Sequence, residues 1–98
     1  MKRTEVLAKA DELVSSQRDE QYGEGSTAAN FATIALLWDA YLARRRADGY
    51  LTVTAGDVAS LMVLLKVGRL AGAPGHEDSW LDIAGYAAIG CELTEKKA

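Results

Sequence analysis

The sequence has very few of the residues that staple small domains or bind transition metals. Cys91 is its only cysteine and His76 its only histidine. A single cysteine excludes a disulfide within the chain, and the two residues together exclude a zinc site built from cysteine and histidine ligands. This usage fits a reducing compartment. We therefore expect a fold that is stabilised by its hydrophobic core and needs no cofactor.

Long hydrophobic runs are also missing. The longest apolar stretch, residues 58–65, is interrupted by Ser60 and followed by Lys66 and Arg69, so it is too short to cross a membrane. The basic start MKRT resembles the beginning of a signal peptide, but charged residues interrupt what would be its apolar core: Glu5, Lys9, Asp11 and Glu12. We expect a soluble cytoplasmic protein that does not bind membranes.

Positive charge is not in excess either. The formal net charge is -3 and the isoelectric point is near 5.0. A chain of this kind has no overall basic field with which to hold a nucleic-acid duplex, so duplex nucleic acid is not an expected partner. With 98 residues the chain is expected to form one domain, residues 1–98, which is large enough to fold around its own core.

Helical periodicity of the apolar residues predicts an all-α fold. Four helices are expected, at about residues 4–18, 28–46, 55–71 and 79–94, packed into a compact bundle. Apolar residues cover most of the circumference of the third helix, so this helix should be central. If one of its faces stays uncovered, a dimer or larger homo-oligomer is expected. The stretch LTVT, residues 51–54, has no partner strand and is interpreted as an extended linker.

Several residues are typical of helix caps or of places where two helices pack closely. Thr54 and Asp57 form a variant of the capping box, and Gly49 is expected to end the second helix. Asp78 or Ser79 is expected to cap the fourth helix. That helix also contains Gly85 and Gly90, which are expected to allow close packing against the third helix or a second subunit. The arginines at 44–46 are expected to interact favourably with the carboxyl end of the second helix.

Standard catalytic motifs are absent from the sequence. It contains no GxxxxGK[ST] phosphate loop, no HExxH and no Gly-x-Ser-x-Gly. A Cys91–His76 dyad is not favoured, because Cys91 lies among apolar and small residues. Asp78 and Asp82 are the only pair of candidate carboxylates close enough in sequence to share a metal, and magnesium is expected only if the chain is an enzyme.

Lys66 and Arg69 are three residues apart and share a face of the most apolar helix. Their heads can reach solvent while their stems cover apolar surface. They can alternatively pair with Asp78 and Asp82, one turn apart on the next helix, or the four residues can hold a phosphate between them. Sequence alone does not decide between these interpretations.

Four further residues are candidates for ligand contacts, each with a structural alternative. Tyr22, in a polar loop before Gly23, can stack on a base or cover the edge of the core. Asn30 can donate to a ligand, help cap the second helix or lie on the surface. Trp80 and Tyr86 are six residues apart and do not share a helix face, so one is expected in the core while the other faces a ligand or a second subunit.

The combination of four segments resembles a family of small, uncharacterised proteins encoded mainly by bacteriophages and prophages. The segments are RDEQYG (18–23), NFATIALLWDAYL (30–42), TAGDVASLMVLLKVGRL (54–70) and HEDSWLDIAGYAAIG (76–90). They cover nearly the whole chain after the first helix. The resemblance implies that the protein acts in the cytoplasm of a bacterial host.

A more distant resemblance rests on K-x-x-R at Lys66 and Arg69 and on D-x-x-G-Y from Asp82 to Tyr86. These elements are similar to phage nucleotide-modification-associated domains and to the all-α nucleotide pyrophosphohydrolases. The resemblance implies an oligomeric helical bundle that handles nucleotides, with a shared constellation of Lys66, Arg69, Asp78, Asp82 and Tyr86. The pyrophosphohydrolases bind magnesium with an E-x-x-E motif followed by an E-x-x-D motif, a succession that this chain lacks.

Three functions follow as expectations. The first is a nucleotide-binding protein that sequesters a nucleotide or a nucleotide-derived signal, with Lys66, Arg69, Asp78, Asp82, Tyr86, Tyr22, Asn30 and Trp80 as its ligand-binding residues. The second is a nucleotide-processing enzyme, a pyrophosphohydrolase or a phosphotransferase, which would turn its ligand over. The third is an adaptor that binds a host protein through an exposed helix face.

Overall fold

The structure, a computed structural model, describes residues 1–17 and 26–95. The chain forms helix α1 (Arg3–Glu12), a short π-helical segment (Leu13–Gln17), and helices α2 (Ser26–Ala47), α3 (Ala55–Gly72) and α4 (Glu77–Leu93). The described residues contain no strand, so the linker at 51–54 does not pair with another extended segment. The all-α bundle of four helices that the sequence predicts is confirmed.

Helix α3 is central, as its apolar circumference predicts. It packs against α2 on one side and α4 on the other. Gly68 of α3 lies against Ile34 of α2, while Ala59 of α3 lies against Gly90 of α4. Positions 59 and 68 are nine residues apart, which places them on opposite sides of a helix with about 3.6 residues per turn. Ile34, Ala59, Leu61 and Leu70 are the buried apolar residues of this arrangement.

Close approach of the helices depends on two glycines. A Cβ atom at Gly68 would overlap Cγ1 of Ile34, and one at Gly90 would lie 3.1 Å from Cβ of Ala59. The expectation of close packing is therefore confirmed for Gly90. It is wrong for Gly85 within this chain, because no atom of the described residues lies within 4 Å of the place where its Cβ would be.

The ends of α2 and α3 follow the expected local chemistry. Gly49 has φ of 94°, the left-handed conformation that ends a helix, and the three arginines occupy the last turn of α2. Thr54 accepts a hydrogen bond from the Asp57 backbone N–H at 3.1 Å, and Asp57 accepts one from the Thr54 N–H at 2.9 Å. This reciprocal pair confirms the capping box. Helix α2 begins at Ser26, two residues before the expected start.

The start of α4 differs from the expectation. The helix begins at Glu77, and its cap is His76 rather than Asp78 or Ser79. Nδ1 of His76 accepts a 3.3 Å hydrogen bond from the Ser79 backbone N–H and lies 2.7 Å from its Oγ. An imidazole nitrogen thus accepts the backbone N–H hydrogen bond that an aspartate or serine oxygen usually accepts at a helix start. Ser79 becomes buried inside the first turn.

Helix α1 is shorter than the expected helix at 4–18 and presents its apolar residues to solvent. Regular α-helix ends at Glu12, the π-helical segment follows to Gln17, and residue 18 lies outside the described residues. No residue of α1 is buried, and Val6, Leu7, Leu13 and Val14 are exposed. Within the described part of the chain, no helix combines the length and apolar character that a membrane crossing requires.

Candidate functional site

An apolar cleft lies along the interface of α2 and α3. It has a volume of about 280 Å³ and is lined by Phe31, Ile34, Ala35, Trp38 and Leu65. The Trp38 Nε1–H donates a 2.8 Å hydrogen bond to the Leu61 carbonyl, which fixes the orientation of the indole. Phe31 is 65% exposed, although its place in the apolar pattern of α2 predicts a core residue. The apolar face of α2 is wider than its interface with α3, so residues at the edge of this face line the cleft.

Two polar residues lie one helical turn from lining residues of this cleft. Asn30 lies one turn before Ile34 on α2, and Arg69 lies one turn after Leu65 on α3. Asn30 is only 6% exposed, and its Oδ1 lies 2.8 Å from the place that a Cβ of Gly72 would occupy. Arg69 is half-buried. The lining of the cleft is therefore apolar and aromatic, and Asn30 and the positively charged Arg69 lie one turn of helix from it.

Lys66 lies on α3 and contacts α4. Its Nζ is 2.8 Å from Oδ2 of Asp82, and the two side chains are 12% and 48% exposed. The salt bridge considered from the sequence is therefore present for this pair. Asp78 is exposed in the first turn of α4 and forms no ion pair with a described residue. Whether Lys66 also contacts a phosphate stays a prediction.

The aromatic candidates lie in separate places. Tyr86 is half-buried and lines a second cleft of about 210 Å³ between α3 and α4. Trp80 is 56% exposed, donates a 2.9 Å hydrogen bond from Nε1 to the Pro74 carbonyl and lines neither cleft. Tyr22 lies outside the described residues. The structure thus pairs Lys66 with Asp82, but does not gather the candidate residues into one site.

The pattern of the sequence did not reveal the network around Asp57. This buried carboxylate accepts a 2.8 Å hydrogen bond from the Tyr41 hydroxyl, and Nε of Arg45 lies 2.8 Å from its Oδ1. The guanidinium of Arg45 also stacks 3.9 Å from the ring centroid of Tyr50. The Thr54 backbone N–H and the Tyr41 hydroxyl, with a smaller contribution from Arg45, lower the pKa of Asp57 to about 2.

The Asp57 network has a structural role, because its members tie the end of α2 to the start of α3. The sequence suggested only that Arg45 interacts favourably with the dipole of α2. In the structure Arg45 also forms an ion pair with Asp57 of α3. The capping-box position of Asp57 was the one signal in the sequence. Its long-range partners, 12 and 16 residues away, follow no local pattern.

The described residues offer no other reactive cluster. Residues 1–17 and 26–95 contain no group of three or more histidine, cysteine, aspartate or glutamate side chains placed to hold a metal ion. His76 caps the start of α4, and Cys91 is exposed near its end. These two residues are therefore separated by roughly 20 Å of helix, since each residue adds about 1.5 Å. They do not form a dyad.

Fold and cleft together define a small all-α domain with a central helix and an apolar, aromatic cleft beside it. Residues 5–94 match the family model described as "Domain of unknown function (DUF6378)". Because the match spans most of the chain, the protein belongs to this family. The membership confirms the sequence resemblance to a phage protein family.

Curated relatives come from two mycobacteriophages. The chain is 40% identical over 86 residues to the Gene 55 protein of Mycobacterium phage D29, covering 88% of this chain and 50% of that protein. It is 38% identical over 84 residues to the Gene 55 protein of Mycobacterium phage L5, covering 86% of this chain and 49% of that protein. The chain thus spans about half the length of these relatives. No solved structure gives a significant match.

Proposed function

We propose that the protein binds a nucleotide or a nucleotide-derived ligand in the α2–α3 cleft. The observation that carries the proposal is the position of two aromatic rings, Phe31 and Trp38, in one cleft, with Arg69 one helical turn after the lining residue Leu65. Aromatic side chains stack on bases, and a guanidinium forms charge-assisted hydrogen bonds with phosphate oxygens. The cleft volume of about 280 Å³ is close to the lower limit of small-molecule sites, roughly 300 Å³.

Lys66 has a supporting role in this proposal. Asp82 holds its ammonium on the α4 side of α3, one turn of helix from Arg69. Because Asp82 balances the charge of Lys66, the pair adds little net positive potential. Lys66 would therefore help to hold a phosphorylated ligand by exchanging the Asp82 carboxylate for a phosphate oxygen, and Asp82 does not itself contact the ligand. Asp78, Trp80 and Tyr86 lie outside the cleft and have no part in the proposal.

In the cytoplasm of a bacterial host, a phage protein of this kind would sequester a nucleotide or a nucleotide-derived signal. The alternative is a nucleotide-processing enzyme that hydrolyses or transfers a phosphoryl group, with magnesium as its metal. The fate of the ligand separates the two functions: a sequestering protein releases it intact, whereas an enzyme consumes it.

A thermal-shift screen tests the proposal. The purified protein is heated with nucleoside mono-, di- and triphosphates and with cyclic dinucleotides, with and without magnesium. Any ligand that binds the folded state raises the Tm by an amount that grows with the ratio of ligand concentration to Kd. Every ligand that does so is then incubated with the protein and recovered by chromatography to detect turnover.

Variants locate the binding site. We expect the shift to disappear in Arg69→Ala and to shrink in Lys66→Ala. Arg46→Ala is the matched control, because Arg46 is an exposed arginine in the last turn of α2 and lies outside the cleft. If no nucleotide raises the Tm, or if Arg46→Ala reduces the shift as much as Arg69→Ala, the proposed site is wrong.

Self-association is a second proposal, supported by apolar residues that remain on the surface. Leu36 of α2 and Leu81 and Ile89 of α4 are exposed, and the Gly85 backbone on α4 has open space beside it. Burying such residues between two copies would remove apolar surface from water. Light scattering after size-exclusion chromatography should give at least a dimer. A monomer at micromolar concentration would leave these faces to a host protein, as in the adaptor alternative.

A further inference from the structure

Asn30 is a buried polar side chain whose hydrogen-bonding groups are not used by the described protein. The residue is 6% exposed, yet no hydrogen bond joins its carboxamide to any described residue. A carboxamide offers two donors and an acceptor oxygen with two lone pairs. Most buried side-chain polar groups have at least one partner, so an exception of this kind requires an explanation.

The carboxamide is not sealed inside the protein. No side-chain nitrogen or oxygen of Asn30 is both fully enclosed and without a hydrogen bond. Because its carboxamide makes no hydrogen bond with a described residue, both of its polar atoms keep a narrow accessible surface. They lie one turn of α2 beyond Ile34, which lines the aromatic cleft, and against the backbone of Gly72 at the end of α3.

Gly72 gives the carboxamide the space that it occupies. A Cβ at position 72 would lie 2.8 Å from Oδ1 of Asn30 and 3.7 Å from its Nδ2. The first distance is too short for a carbon and an oxygen that are not bonded, so any larger residue at position 72 would displace the amide. A buried, unpartnered amide and the glycine that accommodates it thus lie together, and the amide is one turn of α2 from the lining residue Ile34.

We propose that Asn30 is the specificity-determining residue of this cleft and reads the edge of an adenine-type base, an inference that rests on the proposed nucleotide binding. Asparagine pairs with such an edge by accepting from the exocyclic amino group and donating to the adjacent ring nitrogen. A base inserted between Phe31 and Leu65 would direct this edge inward to Asn30. The phosphates would then remain at the more exposed Arg69.

Discrimination between two nucleotides tests the inference. The probes are ATP and the triphosphate of purine riboside, which lacks only the exocyclic amino group, with GTP as a third. Calorimetry with the wild-type protein should show ATP bound about tenfold more tightly than either analogue, the preference expected from one bidentate pair. Equal affinity for the three probes would overturn the inference.

Two variants connect that preference to Asn30. Asn30→Leu has a similar shape without polar atoms, so it should abolish the preference without lowering the Tm, because no protein hydrogen bond is lost. Gly72→Ala keeps the carboxamide but displaces it, and should reduce the preference in the same way. Gly75→Ala is the matched control, since apart from its chain neighbours no described residue has an atom within 4 Å of its Cβ position.

The outcomes separate this inference from the function on which it rests. If no nucleotide binds the wild-type protein, both proposals fail. If ATP binds with the expected preference but neither Asn30→Leu nor Gly72→Ala changes it, the nucleotide site stands and Asn30 does not read the base. A lower Tm in Asn30→Leu together with unchanged preference would give the residue a purely structural role.

Discussion

The indole of Trp38 is fixed by Leu61, whose backbone carbonyl accepts its Nε1–H at 2.8 Å across the α2–α3 interface. This hydrogen bond joins the second helix to the central one and holds one wall of the aromatic cleft in place. A wall that is already ordered costs little further entropy when a ligand stacks on it. This wall of the cleft is thus preorganised. Trp38 has a structural role, and its fluorescence can report ligand binding in the cleft.

The capping box at the start of α3 should contribute measurably to stability. Thr54→Ala removes the oxygen that accepts the Asp57 backbone N–H, and loss of a threonine cap costs about 0.5–2 kcal/mol. For a domain of this size, each kcal/mol corresponds to a Tm change of roughly 4–8 °C. Thermal unfolding followed by circular dichroism measures the change. Thr52→Ala, at an exposed linker position, is the control and should leave the Tm within about 2 °C of wild type.

Acid stability should depend on Asp57. Its hydrogen bonds with Thr54 and Tyr41 lower its pKa from 3.8 to about 2, so the folded state binds the proton more weakly than the unfolded state. The stability that ionised Asp57 gives the folded state is therefore complete above about pH 4 and is lost as the pH falls toward 2. Urea unfolding between these values should show a steep decline for the wild-type protein and a flatter one for Asp57→Asn. Parallel declines would mean that other carboxylates control acid unfolding.

Two glycine-to-alanine substitutions should change stability in opposite directions. Gly68→Ala places a methyl group into Ile34 and should destabilise the protein by about 1–3 kcal/mol, the usual cost of overpacking. Gly85→Ala meets open space within the chain, so the higher helix propensity of alanine should stabilise it by up to about 1 kcal/mol. Chemical denaturation gives both values.

Gly85→Ala also serves as a test of self-association. If a second subunit packs closely on Gly85, the added methyl group should weaken the oligomer while the folded monomer gains stability. Light scattering on the same sample distinguishes these effects. A destabilised Gly85→Ala monomer would contradict the open space that the structure shows beside this residue.

The Lys66–Asp82 ion pair should couple the stabilities of α3 and α4 only weakly. Asp82 is 48% exposed, and pairs with an exposed member usually contribute about 0.2–1 kcal/mol. A double-mutant cycle with Lys66→Ala, Asp82→Ala and the double variant measures this coupling by urea denaturation. We expect it to decrease in high salt, because screening acts on exposed charges. A coupling that is zero at low salt would leave Lys66 without a stabilising partner in Asp82.

Local sequence patterns predicted the parts of the fold that depend on local physics. Apolar residues around α3 predicted its central place, and Thr54, Asp57 and Gly49 predicted helix ends. The start of α4 was predicted wrongly because the cap is a histidine, which is not among the residues that usually provide this contact. Gly85 and Gly90 have the same helix propensity, and only the placement of Ala59 makes one of them a contact.

The candidate site was harder to predict because its geometry is set between helices. Lys66 and Arg69 are close in sequence, but the ion pair of Lys66 with Asp82 forms only once α3 and α4 are packed together. Phe31 and Trp38 fit the helical pattern of a buried face, so the sequence predicts that they belong to the core. Which edge of such a face stays open depends on where the partner helix packs across it, and the periodicity of one helix does not contain that information.

Fluorescence of Trp38 tests the proposed function most directly. The protein has two tryptophans, so Trp80→Phe leaves Trp38 as the only one, and Trp38→Phe leaves the exposed Trp80 as the control. Titration with ATP should quench Trp38 emission to saturation, since a stacked base contacts the indole, and Arg69→Ala should weaken this response. Trp80 should not respond. An unchanged Trp38 signal at millimolar ATP would contradict nucleotide binding in the cleft.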